Sequence, residues 1–154
     1  VGDRTYATCT IKEYHYEQLV NEFNGKDKLL EIIGCDDVQL DGGLATFIAQ
    51  EANYGYIDEL TKMLVEKEIE YDHHWESGGD YEAGTIYTRK IKDVYCSHEI
   101  CDTYATVCTE LKNIFKEKDP KVIKNLLKEK IKELEPFEAT PLDQPQSVDF
   151  IKNF

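Results

Sequence analysis

Val38-Gln39-Leu40-Asp41-Gly42-Gly43-Leu44-Ala45-Thr46-Phe47-Ile48-Ala49 is the stretch on which the fold turns. Asp41-Gly42-Gly43 is a turn signal, because adjacent glycines supply the positive φ angles that a tight hairpin requires. The arm after it is ambiguous by periodicity: Leu44, Phe47, Ile48 and Ala52 would also suit one face of a helix. The turn chemistry decides for a strand over Leu44 to Ala52, and with it for an antiparallel sheet.

Working outward, Ala7, Cys9 and Ile11 alternate with Tyr6, Thr8 and Thr10, the period of a half-buried strand over Thr5 to Ile11. Tyr16, Leu19, Val20 and Phe23 then recur at helical spacing up to Asn24-Gly25, and Asp27 is expected to cap a second short helix ending at Gly34. Ile57, Leu60, Met63 and Leu64 predict an amphipathic helix to about Glu68. Glu70 to Glu76 and Thr85 to Ile91 flank a glycine-bearing loop and form a second hairpin.

Beyond it, Tyr104, Val107, Cys108, Leu111, Ile114 and Phe115 form an apolar stripe on a helix opened by Asp102. A further helix begins with Asp119 as N-cap and Pro120 as first helical residue, burying Val122, Ile123, Leu126, Leu127, Ile131 and Leu134. The expected class is α+β: a small antiparallel sheet with helices on one face, ferredoxin-like or related, plus a C-terminal helical pair. Residues 1–135 form a single domain in this reading, with a helical extension from about 102, and 136–154 an extended, proline-containing tail.

Thirty-one acids oppose eighteen bases, and their placement is uneven. Asp36 to Glu82 holds thirteen acids and two bases, whereas Lys112 to Lys132 holds eight lysines and three acids. Such a chain is electrically bipolar. Phosphates brought against the acidic stretch would meet carboxylates instead of releasing counterions, so direct nucleic-acid binding there is disfavoured and a basic protein partner is favoured. The lysine-rich final helix could contact nucleic acid or the acidic patch of a second copy, giving homo-oligomers. No run is long enough to span a bilayer, and Val1-Gly2-Asp3-Arg4 lacks the features of a signal peptide. Five cysteines without a CxxC pair argue against a disulfide framework, so a soluble cytoplasmic protein is expected.

Candidate chemistry is sparse. On a strand, Asp72, His74 and Glu76 would share one face and could hold a divalent metal if His98 or Glu99 completed the set. A solvated strand face is the competing reading, since the spacing matches no known ligand motif. Cys96, His98 and Cys101, with Cys108, could hold zinc, but Cys101 and Cys108 read better as small buried residues. Cys96 beside His98 hints at a nucleophile and base, without a nucleophile elbow to support it. The loop Gly78 to Gly84 is no phosphate cradle, because it carries Asp80 and Glu82 and leads into a strand. Tyr14, Tyr54, Tyr56, Tyr71, Tyr81 and Tyr95 exceed what the core stripes need, and tyrosines amid carboxylates are a common way to build a protein-binding surface.

Tyr71-Asp72-His73-His74-Trp75-Glu76-Ser77-Gly78-Gly79-Asp80-Tyr81-Glu82-Ala83-Gly84-Thr85, after the helix ending Glu66-Lys67-Glu68-Ile69, resembles a pattern in small acidic proteins of phages and mobile elements. The resemblance covers about a third of the chain and implies no catalytic residue. The function expected is that of a non-catalytic, acidic protein-binding protein that mimics nucleic acid and occupies the basic groove of a host defence protein. Asp58, Glu59, Glu66, Glu70, Asp80, Tyr81 and Glu82 are the expected partner-binding residues, with no cofactor. The alternatives are a metal-binding or hydrolytic enzyme built on Asp72 to Glu76, and a soluble structural or oligomerising domain.

Overall fold

Strict alternation makes Arg4–Lys12 the first strand, β1: Ala7, Cys9 and Ile11 are buried while Thr8 and Thr10 are half-exposed. The chain then turns back through two short helices, α1 (Glu13–Glu22) and α2 (Lys26–Ile33), separated by Phe23, Asn24 and Gly25, the last two at positive φ. Gly25, not Asp27, occupies the N-cap of α2; Asp27 sits inside the first turn, where its charge faces the positive end of the helix. Next come β2 (Asp37–Asp41) and β3 (Leu44–Asn53), joined by Gly42 and Gly43 at φ +57° and +78°. Both residues of this two-residue loop are left-handed, so the segment that reads equally well as a helix is held as a strand.

Helix α3 (Asp58–Glu66) leads to β4 (Tyr71–Trp75), β5 (Gly84–Ile91) and β6 (Val94–Cys101). The hairpin of β4 and β5 is as the sequence predicts, but β6 is an addition. Its turn is Lys92-Asp93, with φ +49° and +65° and no glycine, so the usual sequence mark of a hairpin is missing. Two helices follow, α4 (Asp102–Ile114) and α5 (Pro120–Leu134).

The computed structural model describes residues 3–134. The tail at 136–154 lies outside the described residues. The protein is α+β, with one six-stranded antiparallel sheet in the order β2-β3-β1-β4-β5-β6 and five helices among the described residues. The chain divides into two compact units after Asp102.

In the first unit, one face of the sheet supplies Ala7, Cys9, Ile11, Ala45, Phe47 and Tyr71 to a core that Leu19, Leu29, Ile33, Leu60 and Leu64 complete from α1, α2 and α3. The other face carries Thr8, Thr10, Thr46, His74, Thr85, Tyr87 and Arg89 by the alternation of the pairing register. In the second unit, Asp119 Oδ1 accepts from the Lys121 amide at 2.9 Å, the expected N-cap of α5, and Lys130 pairs with Glu110 and Glu133. The α4 stripe is less buried than its spacing predicts: Ile114 is buried, while Tyr104, Cys108 and Phe115 are exposed. No helix among the described residues is long and apolar enough to cross a membrane.

Candidate functional site

The register of the sheet brings five chain segments to one end of it. Arg4 lies opposite Asn53, Ala7 opposite Trp75, Trp75 opposite Gly84, and Gly84 opposite Cys101. The start of β1, the ends of β3, β4 and β6 and the start of β5 therefore meet, together with the reversals at 53–57 and 76–83.

The first reversal is tightly held. Tyr54 has φ +53° and Gly55 φ +75°. A non-glycine residue in the left-handed region costs on the order of 1 kcal/mol and persists only where its surroundings fix it. Here the Tyr54 amide donates to the Asp3 carbonyl at 2.7 Å, the Tyr56 amide to Asn53 at 3.1 Å, and His73 Nε2 lies 2.7 Å from the Gly55 carbonyl. A carbonyl can only accept, so Nε2 carries the proton of a neutral imidazole. His73 is 2% exposed, and burial pushes its pKa down, which keeps it neutral in the fold.

The result is that Tyr54 and Tyr56 project into solvent, 48% and 59% exposed. Trp75 stands beside them. Its indole Nε1–H donates to the Glu82 carbonyl at 3.0 Å, and its ring meets His73 edge-on at 5.6 Å. It fits because Gly55 and Gly84 flank it: a Cβ on Gly55 would lie 2.5 Å from Trp75 Cβ, and one on Gly84 2.6 Å from Cζ2. Tyr81, from the second reversal, lies 6.3 Å from the Tyr54 ring. Burial and the Asp3 carboxylate push its hydroxyl pKa up, so it remains a neutral phenol. With Glu82, Glu99 and Cys101 these rings line a cavity of about 400 Å³.

Tyr56 also lines a neighbouring cavity of about 590 Å³, whose charged residues are Arg4, Asp36, Glu51, Asp58 and Glu59. Asp58 and Glu59 form the first turn of α3, where the helix dipole favours acids. Neither they nor Glu99 takes part in an ion pair among the described residues.

The structure thus brings Asp58, Glu59, Tyr81 and Glu82 to one end of the sheet, with exposed Asp80 in the same loop as Tyr81. It leaves Glu66 and Glu70 at the far end of α3. Glu66 adjoins Glu59, Lys62 and Lys67 along the surface of α3, outside the aromatic cavity, and Glu70 accepts the Lys90 amide at 3.2 Å. Of the other prominent tyrosines, Tyr71 is core, and Tyr95 donates to the Ile69 carbonyl at 2.7 Å with its pKa pushed up to about 12 by burial.

Asp72 and His74 do share a sheet face, but Asp72 is engaged by Arg89 at 2.6 Å and His74 by the Thr85 hydroxyl at 3.0 Å. Among the described residues no group of three or more His, Cys, Asp or Glu is arranged to hold a metal ion. Cys96 and His98 point to the face opposite Cys101 by alternation, so a joint zinc site is split across the sheet. Cys101 is half-buried and Cys108 exposed, not the buried pair their spacing predicts. Burial pushes the thiols of Cys9 and Cys35 up, Cys35 to about 12, so both stay protonated and poorly nucleophilic.

The residues that sequence reasoning left unassembled are Trp75, Tyr54, Tyr56 and Glu99. A local signal was present in the run Asn53-Tyr54-Gly55-Tyr56, where two tyrosines flank a glycine next to a strand end. That these rings meet Trp75 depends on strand register. Comparison with protein-family models, curated proteins and solved structures yields no match.

Proposed function

We propose that this is a non-catalytic, acidic binding protein that captures a basic protein partner through the end of the sheet bearing Asp58, Glu59, Asp80, Tyr81 and Glu82. The observation that carries this reading is the convergence of Asp58 and Glu59, which take part in no ion pair among the described residues, with exposed tyrosines on one end of the first unit. Aromatic anchors supply contact area at low entropic cost, and surrounding charges steer association with an oppositely charged surface. In this reading the partner is a nucleic-acid-binding protein of a host defence system, which presents such a surface; the sequence pattern similar to that of small acidic proteins of phages and mobile elements is the ground for naming that class of partner. A ferredoxin-like plan for the first unit is supported by the order of elements from β1 to β4 and by the strand order β2-β3-β1-β4. Pairing of the two C-terminal helices is supported by the contact of Lys130 with Glu110.

The test is capture by immobilised poly-lysine across a salt series. Asp58→Lys with Asp80→Lys should weaken capture about tenfold or more, since close interfacial charge pairs are worth about 1.5 kcal/mol and upward. Glu66→Lys with Glu70→Lys should change it about twofold, the effect of rim charges in screened solution. Equal losses from the two sets would mean that overall charge alone drives capture, and the reading would fall.

A further inference from the structure

We propose that the cavity walled by Tyr54, Tyr56, Trp75 and Tyr81 is an aromatic cage for a quaternary ammonium group. This deepens the preceding reading and rests on it for the source of the cation, a methylated lysine on the basic partner.

Four features meet in this one cavity. Four aromatic residues line it, two of them more than 45% exposed among the described residues. Exposed aromatic clusters of this kind are costly to leave facing water, and the face of each ring carries the negative lobe of its quadrupole. Carboxylates of Glu82 and Glu99 stand at the same cavity, so the electrostatic sign of rings and rim agrees: both attract a cation and repel an anion.

The walls are also pre-organised. Tyr54 is held in a left-handed conformation, the Gly55 carbonyl is anchored by buried His73, and Trp75 is fixed by the Glu82 carbonyl between two glycines. A site that is already ordered loses little further entropy on binding. The volume, about 400 Å³, lies in the range of pockets that enclose small ligands.

The chemistry selects among cations. A lysine ammonium is compactly hydrated and would surrender hydrogen bonds to water on entering a ring-walled cavity. Guanidinium prefers the forked geometry of a bidentate carboxylate. A quaternary ammonium has no N–H to satisfy, spreads its charge over methyl groups and presents apolar surface to the rings, which suits an aromatic wall with a carboxylate rim.

Trp75 is the single tryptophan of the chain, so its fluorescence reports on this cavity alone. The full chain is titrated with tetramethylammonium chloride against a sodium chloride control. It is also titrated with a short basic peptide bearing trimethyllysine and with the same peptide bearing unmodified lysine. A saturable change with the trimethyllysine peptide, at least about fivefold tighter than with the lysine peptide, is expected from one cation–π cluster. Tyr56→Ala should weaken it about fivefold or more and Tyr56→Phe should retain it; Tyr56 is exposed, so neither substitution threatens folding. A saturable response to tetramethylammonium with no preference between the peptides would assign the cage to a free small cation and overturn the partner-borne source. No saturable response to any ligand, while poly-lysine still captures the protein, would overturn the cage and leave the acidic-surface reading standing. A saturable, Tyr56-dependent response without poly-lysine capture would keep the cage and remove that reading.

Discussion

The two ends of the sheet in the first unit both carry acids, but only one of them sets acids beside a cluster of aromatic rings. At the end where β5 turns into β6 and α3 finishes, Glu68 pairs with Lys90 at 3.1 Å, Glu22 with Lys67 at 2.8 Å and Asp72 with Arg89 at 2.6 Å, while Glu66 and Glu70 take part in no ion pair among the described residues. At the end where β4 finishes and α3 begins, Asp58, Glu59 and Glu99 have no such pairing among the described residues, and the neighbouring surface is tyrosine and tryptophan. Charge alone does not single out a binding surface; charge left unneutralised beside rigid aromatic rings does. The acidic stretch from Asp36 to Glu82 visits both ends, which is why it reads as one feature in the sequence and as two in the fold.

The largest expected difference between the ends comes from their glycines. Gly55→Ala forces a Cβ into left-handed backbone and against Trp75, and should cost about 2–4 kcal/mol of stability, combining the left-handed penalty with overpacking. Gly42→Ala, in the turn at the other end, meets no atom within 4 Å and should cost about 1 kcal/mol, from its left-handed φ alone. Urea denaturation of the two variants measures both; equal losses would break the comparison, and a blue or red shift of Trp75 emission in Gly55→Ala alone would sharpen it.

A pH series probes the same end. His73 has its pKa lowered by burial, so the unfolded chain takes up a proton that the folded chain refuses. The contribution of this residue is fully present above about pH 6.5, the unfolded value, and is lost as pH falls below it, with a slope of at most about 1.4 kcal/mol per pH unit. His73→Gln, which cannot charge, should flatten unfolding free energy between about pH 6.5 and the lowered folded value. An unchanged slope would show that His73 is not the group being titrated.

The smallest effects belong to the ion-paired end. Arg89 and Asp72 are 41% and 39% exposed, so Arg89→Met should change stability by less than about 1 kcal/mol after screening, and the change should shrink further in high salt. A loss of several kcal/mol would mean that this pair organises the sheet, and the contrast between the two ends would have to be redrawn in terms of structure instead of charge.

Much of the architecture is legible residue by residue. The alternation of Ala7, Cys9 and Ile11, the glycines of the β2–β3 turn and the Asp119-Pro120 start of α5 each act through local chemistry that neighbours cannot easily reverse. Strand β6 is missed for an equally local reason: Lys92 and Asp93 adopt a turn that favours glycine or asparagine, and tertiary pairing with β5 outweighs that preference. The site is legible only as ingredients. Asp58, Glu59, Tyr81 and Glu82 can be named from charge and aromatic excess, but Glu70 belongs with them in sequence and not in space, and Glu66 adjoins Glu59 along α3 without lining the aromatic cavity.

By itself, the sequence determined which faces of each strand are apolar, where the chain reverses, and how strongly acid outweighs base. Only the tertiary structure decided which ends coincide, because a period of two fixes the face of a side chain and says nothing about which strand lies beside it. Setting Ala7 opposite Trp75, and Trp75 opposite Gly84, is a property of long-range hydrogen-bond register, and from that register comes the cavity lined by Tyr54, Tyr56, Trp75 and Tyr81.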